Sequence, residues 1–370
     1  MRADVAVVGA GIIGALAAYE LAKRGVAVAL LDAEKEGAAT LASAGMLAPY
    51  PEGLSGELLE AGLYGLARYP ELLAELRERG LEVEVHRGLF LPKAELLKRV
   101  EGAVGLIPTV EDRIDAEVMD RAKGLKVIAC YSVGVDHVDL EAARERGIRV
   151  THTPGVLTEA TADLTLALLL AVARRVVEGA AYARDGLWKA WHPELLLGLD
   201  LQGLTLGLVG MGRIGQAVAK RALAFGMRVV YHARTPKPLP YPFLSLEELL
   251  KEADVVSLHT PLTPETHRLL NRERLFAMKR GAILLNTARG ALVDTEALVE
   301  ALRGHLFGAG LDVTDPEPLP PGHPLYALPN AVITPHIGSA GRTTRERMAE
   351  VAVENLLAVL EGREPPNPVV

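Results

Sequence analysis

Three side chains in the last third of the sequence have types that suit proton transfer beside a bound carboxylate: Arg289, Glu317 and His336. Reduction of a 2-keto acid needs a cation for the carboxylate, a proton donor for the ketone oxygen and a nearby source of hydride. An arginine pairs with a carboxylate through two hydrogen bonds, and a histidine beside a carboxylate is favoured in its protonated, donating form. The three residues therefore predict a site that reduces small keto acids.

Each of the three has a less specific interpretation when it is taken alone. Arg289 could form a surface ion pair, Glu317 could be a solvated residue of a Pro-rich loop, and His336 could be a structural histidine. Arg289 and His336, however, each follow a predicted strand, and ligands of open α/β sheets bind at the carboxyl ends of strands. Their order and setting favour one shared site.

Two glycine-rich turns of the pattern G-x-G-x-x-G, Gly9–Gly14 and Gly210–Gly215, each predict a dinucleotide site. Each turn lies between a predicted strand, Val5–Val8 or Leu204–Val209, and a predicted helix, which distinguishes it from a purely structural turn. The first glycine makes the turn, the second admits the pyrophosphate, and the third lets the helix pack on the strand. In the second turn the predicted cofactor contacts are Gly210, Gly212, Arg213, Ile214 and Gly215.

The residues after the second glycine turn bear on the choice between NADPH and NADH. An NAD site usually has an acidic residue about 20 positions after the glycines, which holds the ribose 2′-hydroxyl. Here the segment Tyr231–Thr235 has no carboxylate, and Arg234 with Thr235 can meet a 2′-phosphate, helped by Lys237. We therefore expect NADPH, with NADH as the alternative if Arg234 is only a surface residue.

Strands and helices alternate along the chain, which predicts an α/β fold with doubly wound parallel sheets. The apolar run Leu164–Ala173 is too short to span a bilayer and predicts a buried helix. We predict a loop at Pro316–Pro324 and a tail at Arg363–Val370. The further predicted strands are Val26–Leu31, Leu81–His86, Gly105–Pro108, Val127–Cys130, Ile148–Thr151, Met227–Tyr231, Val255–His259, Ile283–Asn286, Gly308–Val313 and Val332–Thr334.

From about Leu81 to Val370 the sequence resembles the D-isomer-specific 2-hydroxyacid dehydrogenases, in their glyoxylate/hydroxypyruvate reductase branch. The matching segments are Tyr131–Asp136, Thr153–Thr158, Gly210–Gly215, Asn286–Gly290, Leu311–Pro318 and Thr334–Ser339. The resemblance implies a Rossmann NAD(P)-binding domain at 151–336 and a flavodoxin-like substrate domain at 76–150 and 337–370. It also implies a homodimer, with the segment 187–199 and its Trp188 and Trp191 directed towards a second subunit.

The same resemblance implies roles for individual residues. Arg289 would anchor the substrate, His336 would be the general acid and base, and Glu317 would orient and charge that histidine. The backbone around Val133 and Gly134 would hold the substrate carboxylate. Residues implied to line the cofactor are His259, Pro261, Thr266, Thr287, Ala288, Asp312, His336 and Gly338.

The first 75 residues, 1–75, resemble instead the beginning of FAD-dependent amino-acid oxidases of the glycine oxidase type. The matching text is Val7–Gly14, Asp32 and Ala42–Pro49, and Asp32 would hold the FAD ribose. The rest of such an oxidase is absent, so we predict a partial βαβ segment that does not bind FAD. We consider a joining artefact, a natural fusion with a vestigial start, and, least favoured, a bifunctional protein.

The unusual beginning has a consequence for the substrate domain. This domain should open with an apolar strand before the predicted helix at 72–79, and none directly precedes it. Either Val5–Val8 supplies the missing inner strand, with a long insertion after it, or the sheet lacks a strand and the domain is impaired.

Composition narrows the function classes. The net charge of -7 argues against a nucleic-acid partner. The single cysteine, Cys130, excludes an intrachain disulfide and a cysteine-cluster metal site, and it fits a cytoplasmic protein. We expect no metal and no membrane partner. Two other functions stay open at this point: an FAD-dependent glycine or amino-acid oxidase fragment, and a non-enzymatic dinucleotide-sensing protein.

Overall fold

The computed structural model describes the strands Val5–Val8 and Val28–Leu31 and residues 91–370. The Gly9–Gly14 turn, Asp32 and the predicted strand Leu81–His86 lie outside the described residues. The chain divides into two compact units, Met1–Leu157 with Ala340–Val370, and Thr158–Ser339. These limits lie seven and three residues from the domain boundaries that we predicted at 150/151 and 336/337.

Within the described residues, the first unit contains a five-stranded parallel sheet in the order β2-β1-β3-β4-β5. Its strands are β1 (Val5–Val8), β2 (Val28–Leu31), β3 (Gly105–Ile107), β4 (Val127–Ala129) and β5 (Arg149–Thr151). Strand β1 has an inner position, since Val5 aligns with Val28 on one side and with Gly105 on the other. Of the two arrangements considered for this sheet, the one in which Val5–Val8 supplies the inner strand is therefore observed.

Helices cover this sheet and close its core. Those in the described part of the chain are α1 (Lys93–Arg99), α2 (Ala116–Arg121), α3 (Leu140–Glu145) and α11 (Arg342–Leu360). Asp115 and Asp139 cap α2 and α3 by accepting the amide hydrogens of Val118 and Ala142. The strands β3 and β4 are buried throughout, as expected for a parallel sheet covered on both faces.

The prediction of a C-terminal tail at Arg363–Val370 was wrong. Val369 and Val370 donate backbone hydrogen bonds to the carbonyl of Val150, and Pro368 forms an antiparallel bridge with Thr151. The segment thus pairs with the free edge of β5. Because an unpaired edge strand leaves backbone groups unsatisfied, the apolar ending Pro368–Val370 protects that edge.

The second unit has a six-stranded parallel sheet in the order β11-β10-β9-β8-β6-β7. Its strands are β6 (Thr205–Val209), β7 (Arg228–His232), β8 (Val255–Leu258), β9 (Ile283–Asn286), β10 (Gly308–Leu311) and β11 (Ala331–Ile333). Its helices are α4 (Thr158–Ala173), α5 (Val176–Arg184), α6 (Arg213–Ala224), α7 (Leu246–Glu252), α8 (Arg272–Ala277), α9 (Thr295–Leu302) and α10 (Pro324–Ala327).

Apolar clusters fill both faces of the second sheet. One joins α7, α8 and α9 to the sheet, and the other joins α4 and α6 to the opposite face. The buried helix predicted from Leu164–Ala173 is confirmed, because Leu166, Leu168 and Leu169 of α4 are at most 5% exposed. Among the residues that the structure describes, we find no helix with the length and apolarity to cross a bilayer.

Candidate active site

The six parallel strands of the second unit end at one edge of their sheet, and the predicted site residues follow those ends. The chain passes from β6 to β7 on one side and then crosses back to β8 on the other side of β6, so the strand order reverses at β6. The crevice beside such a reversal is where sheets of this kind bind ligands. The residues that follow the strand ends, in chain order, are Gly210, Arg234, His259, Thr287, Asp312 and His336.

The Gly210–Gly215 turn at the end of β6 fits a dinucleotide. Gly210 has a φ of 102°, and a Cβ there would lie 2.3 Å from the carbonyl oxygen of His259. A Cβ on Gly215 would lie 2.3 Å from the oxygen of Gly210, so both glycines are required by packing. A Cβ on exposed Gly212 would meet no heavy atom within 4 Å, which leaves this backbone open to a ligand.

Helix α6 starts at this turn without a side-chain cap. Its N-cap is Gly212, which offers no side-chain hydrogen bond, and no acidic residue lies in the first turn. The first amide hydrogens and the positive end of the helix dipole thus face the open side, beside exposed Arg213. These features suit the pyrophosphate of NAD(P).

Arg234 and Thr235 lie exposed just after β7, as a 2′-phosphate contact requires. The charge of Arg234 also reaches the next loop: the pKa of Glu265 is lowered by a hydrogen bond from Thr263 and, to a smaller extent, by Arg234. In that loop the hydroxyl of Thr266 donates to the carbonyl oxygen of Pro261 at 2.7 Å. The segment predicted to border the cofactor therefore forms a closed turn beside Arg234.

His259, at the end of β8, is held in its neutral form. Its Nε2 lies 2.8 Å from the hydroxyl of buried Ser257, and burial lowers the pKa of His259 to about 4. A neutral imidazole suits a position beside a cofactor pocket. Ser257 was not among the residues singled out from the sequence, since a serine within a buried strand carries no motif.

We expect His259 to make the unfolding free energy depend on pH. Its pKa is about 4 when folded and near 6.5 when unfolded, so between these values the unfolded chain binds the extra proton and stability falls as pH falls. Between pH 7 and pH 5 the free energy of unfolding should fall in both proteins, and the fall should be smaller in His259→Gln than in the parent by up to about 2 kcal/mol. Urea unfolding without cofactor, at a series of pH values, measures this difference, and exposed His192→Gln is the control. If the free energy of unfolding of His259→Gln and of the parent depended equally on pH, His259 would not be held neutral.

The structure brings His336 and Glu317 together. Nδ1 of His336 lies 2.6 Å from Oε1 of Glu317, and the two side chains are 32% and 29% exposed. The other carboxylate oxygen accepts the amide hydrogen of Thr314 at 3.2 Å. Because Glu317 occupies Nδ1, the Nε2 of His336 is the ring nitrogen left to exchange a proton with a ligand.

Arg289 lies on a turn that packs against the loop of Glu317. A Cβ on Gly290 would lie 1.9 Å from the carbonyl oxygen of Thr314, so glycine is needed for this close approach. Asn286 braces the turn: its amide donates to the oxygen of Arg289 at 2.8 Å and its oxygen accepts from Ala288 at 3.1 Å. We did not assign this role to Asn286 from the sequence, although it opens the motif that contains Arg289.

Thr287 and Asp312 lie at the ends of β9 and β10. The hydroxyl of half-buried Thr287 lies 3.0 Å from that of Thr165 on α4. The carboxylate of Asp312 is buried and accepts hydrogen bonds from Thr334, Ile337 and Gly338. Burial raises the pKa of Asp312 above its ordinary value, and the three hydrogen bonds oppose that rise.

Val133 and Gly134 belong to the first unit, in the turn that follows β4. The imidazole Nδ1 of His152 lies 3.0 Å from the carbonyl oxygen of Val133, and the hydroxyl of Ser132 donates to the oxygen of Gly134 at 2.6 Å. Both carbonyls are therefore engaged within the first unit. Among the described residues we find no group of three or more His, Cys, Asp or Glu side chains arranged to hold a metal.

Comparison with known proteins identifies the family. A family model described as the D-isomer specific 2-hydroxyacid dehydrogenase NAD binding domain matches residues 166–338. A glyoxylate reductase of Korarchaeum cryptofilum is 51% identical over 308 residues, which are 79% of this chain and 93% of that protein. The chain belongs to the D-isomer-specific 2-hydroxyacid dehydrogenases. It is accordingly an NAD(P)-dependent dehydrogenase, as the sequence predicted.

Two solved structures show the same fold. A protein from Thermus thermophilus is 99% identical, with a TM-score of 0.77 over 80% of this chain and 96% of that one. An NADPH-dependent glyoxylate/hydroxypyruvate reductase from Sinorhizobium meliloti, in complex with NADP and malonate, is 36% identical. It aligns with a TM-score of 0.73 over 81% of this chain and 93% of that one.

A second family model, described as FAD dependent oxidoreductase, matches residues 4–178. This match includes the segment that resembles the amino-acid oxidases. Of that segment the structure describes only the strands β1 and β2, which are part of the sheet of the first unit.

Proposed function

We propose that this dehydrogenase reduces glyoxylate or hydroxypyruvate, to glycolate or D-glycerate, with NADPH as the preferred hydride source. The observation that carries the proposal is the His336–Glu317 pair at 2.6 Å, placed at the same sheet edge as the glycine turn of β6. Relatives and neighbouring structures that bear the names glyoxylate reductase and glyoxylate/hydroxypyruvate reductase support the choice of substrate. A soluble substrate and cofactor and the single cysteine lead us to propose a cytoplasmic enzyme.

His336 acts as the proton donor in this proposal. Glu317 accepts the Nδ1 hydrogen, which fixes the ring and leaves Nε2–H as the donor to the ligand. The bound nicotinamide supplies the hydride for the ketone carbon. Donation from Nε2 neutralises the alkoxide as it develops, and in the reverse reaction the same nitrogen accepts the hydroxyl proton.

Arg289 holds the substrate carboxylate in this proposal. The guanidinium provides a planar pair of donors that matches the two carboxylate oxygens. In the first unit the carbonyls of Val133 and Gly134 are bound by His152 and Ser132, which leaves the amide hydrogens of that turn as the groups for an anion. Thr287, Ala288, Asp312 and Gly338 would hold the nicotinamide end of the cofactor.

The test of this function is oxidation of NADPH by the purified full-length chain, followed by its absorbance, with glyoxylate, hydroxypyruvate and pyruvate as separate substrates and NADH in parallel. Rapid oxidation with glyoxylate or hydroxypyruvate supports the proposal. A flavin absorbance band with hydrogen peroxide formed from glycine would favour the oxidase alternative instead. Absence of turnover, with a partner protein whose binding depends on NADPH, would favour the sensing alternative.

We expect Arg234 to set the preference for NADPH. In the Arg234→Gln variant the dissociation constant for NADPH should rise about 10- to 100-fold, because a charged hydrogen bond to phosphate contributes roughly 1.5–3 kcal/mol. That for NADH, which lacks the phosphate, should change little. Fluorescence titration measures both, and Arg228→Gln, an exposed arginine at the opposite end of the same strand, is the matched control. Equal weakening for both cofactors would refute this role.

We propose that two copies associate through an exposed apolar arm, defined as the six residues Val176, Val177, Leu187, Trp188, Trp191 and Leu197. They are 52–82% exposed and make up six of the eleven exposed large apolar residues in the described part of the chain. Helix α5, which carries the first two, has no buried residue. A patch of this kind on one continuous segment suits a two-fold, self-complementary interface.

The prediction for the arm is a change of mass in solution. In size-exclusion chromatography with light scattering, the parent should have the molar mass of two chains. At micromolar concentration Trp191→Glu should have the mass of one chain, because a charge buried in the interface opposes association. Leu223→Glu, at an exposed apolar residue outside the arm, should leave the mass unchanged. A parent that is monomeric at high concentration would exclude the dimer.

A further inference from the structure

The turn that presents His336 has an unusual backbone. His336 has a φ of 52°, in the left-handed region that side chains other than glycine rarely adopt. Such a conformation is energetically unfavourable and persists only where the surroundings impose it. The His336 amide donates to the carbonyl oxygens of Asp312 and Thr334, each at 3.0 Å. These two backbone carbonyls help to hold the turn in this conformation.

The buried carboxylate of Asp312 collects three hydrogen bonds from this turn. Its Oδ1 accepts from the hydroxyl of Thr334 at 2.6 Å and from the amide of Ile337 at 2.8 Å. Its Oδ2 accepts from the amide of Gly338 at 2.7 Å. The donors lie on both sides of His336 in the chain, so the carboxylate clamps the turn before and after the catalytic side chain.

Two further contacts make this arrangement specific. A Cβ on Gly338 would lie 3.0 Å from Oδ2 of Asp312, so a larger residue would push the turn away from the carboxylate. Thr334 is the only one of the three donors that uses a side chain, and its own amide is paired with the carbonyl of Leu311 at 2.8 Å. The Thr334 hydroxyl can therefore be removed without loss of a backbone hydrogen bond.

We infer that Thr334 is a positioning residue of this enzyme: through the Asp312 carboxylate its hydroxyl fixes the turn that aims His336 at the substrate. This inference rests on the proposed function of His336. Without the hydroxyl, Oδ1 keeps one donor from the turn and becomes a poorly satisfied buried charge. The carboxylate and the turn then shift together, and a displacement of about 1 Å at a reacting group can cost about 100-fold in rate.

The test compares Thr334→Val, which removes the hydroxyl at nearly constant shape, with Thr334→Ser, which keeps it. In Thr334→Val we expect kcat to fall about 10- to 100-fold, with the dissociation constant of NADPH and the KM of glyoxylate changed by less than about threefold. Thr334→Ser should keep kcat within about threefold of the parent. Ser245→Ala, which breaks the capping box of α7, controls for a general loss of stability without loss of turnover.

The outcomes separate this inference from the proposed function. If His336→Ala retains turnover, the proposed function fails, whatever Thr334 does. If His336→Ala is inactive but Thr334→Val keeps its kcat, Thr334 has no positioning role and the function stands. A Thr334→Ser variant that loses as much kcat as Thr334→Val would also overturn the inference, and this comparison holds even if Thr334→Val folds poorly.

Discussion

Replacing His336 with alanine should lower kcat for glyoxylate about 100- to 10,000-fold, the usual contribution of a positioned general acid. The alkoxide that forms at the ketone oxygen would then have to take its proton from water. The variant should still bind NADPH with nearly the parent dissociation constant, because the glycine turn and Arg234 are untouched. Steady-state kinetics and fluorescence titration of NADPH measure the two effects separately.

The matched control for this prediction is His305→Gln. His305 is a histidine of the same unit whose Nε2 contacts the carbonyl oxygen of Met278, at the other edge of the sheet. Its replacement also removes a side-chain contact to the backbone, but it should leave kcat unchanged. Turnover of His336→Ala within tenfold of the parent would mean that another group donates the proton.

Glu317 gives an intermediate case between the parent and His336→Ala. In Glu317→Gln the side-chain oxygen can still accept the Nδ1 hydrogen of His336, so the ring orientation is kept. The carboxylate charge that stabilises the ring during proton transfer is lost, however. We therefore expect the kcat of Glu317→Gln to lie between that of the parent and that of His336→Ala. The dissociation constant of NADPH should be unchanged.

The α/β fold was predictable because its signals are local. Short, largely apolar runs of three to six residues between glycine and polar segments identified the strands, and the observed strands differ from the predicted ones mainly by one or two residues at an end. Strand β10 illustrates the reason: the predicted strand continues through Asp312 to Val313, and both residues are buried, but the pairing with β11 stops at Leu311. A hydrophobic pattern indicates which residues are buried, whereas the end of a strand depends on where its hydrogen bonds to the neighbouring strand stop.

The C-terminal segment shows that local sequence patterns do not predict pairing between distant parts of the chain. Arg363–Val370 contains three prolines and no periodic pattern, which favours a tail. Its role as a cover for β5 depends on the free edge of a strand more than 200 residues earlier, at Val150 and Thr151. The inner position of Val5–Val8 is a similar case, because its partner β3 lies about 100 residues later.

For the site, the sequence indicated the residues that carry reactive groups but not those that hold them. Arg289, Glu317 and His336 have side chains whose chemistry limits what they can do, so type and position at strand ends were informative. Thr334 and Asn286 are ordinary polar residues, and their roles depend on distances of 2.6–2.8 Å to Asp312 and to the backbone of Arg289. The left-handed φ of His336 was the feature least accessible from sequence.

Arg289→Lys should raise the KM for glyoxylate about 10- to 100-fold, although the positive charge is kept. A guanidinium can bind both carboxylate oxygens through parallel hydrogen bonds and so orient the ketone, whereas an ammonium is a point charge without this fork. The backbone brace from Asn286 to the Arg289 carbonyl does not involve the side chain, so the turn should survive the substitution. Binding of NADPH should also be retained.

The pattern across substrates distinguishes orientation from charge alone. If Arg289 orients the carboxylate, Arg289→Lys should lower kcat as well as raise KM, because a loosely held ketone meets the Nε2 of His336 less often. If it supplies charge only, Arg289→Lys should resemble the parent and Arg289→Met alone should be impaired. Exposed Arg280→Lys is the control for an arginine outside the site. A parent-like KM in Arg289→Met would show that Arg289 does not bind the substrate carboxylate.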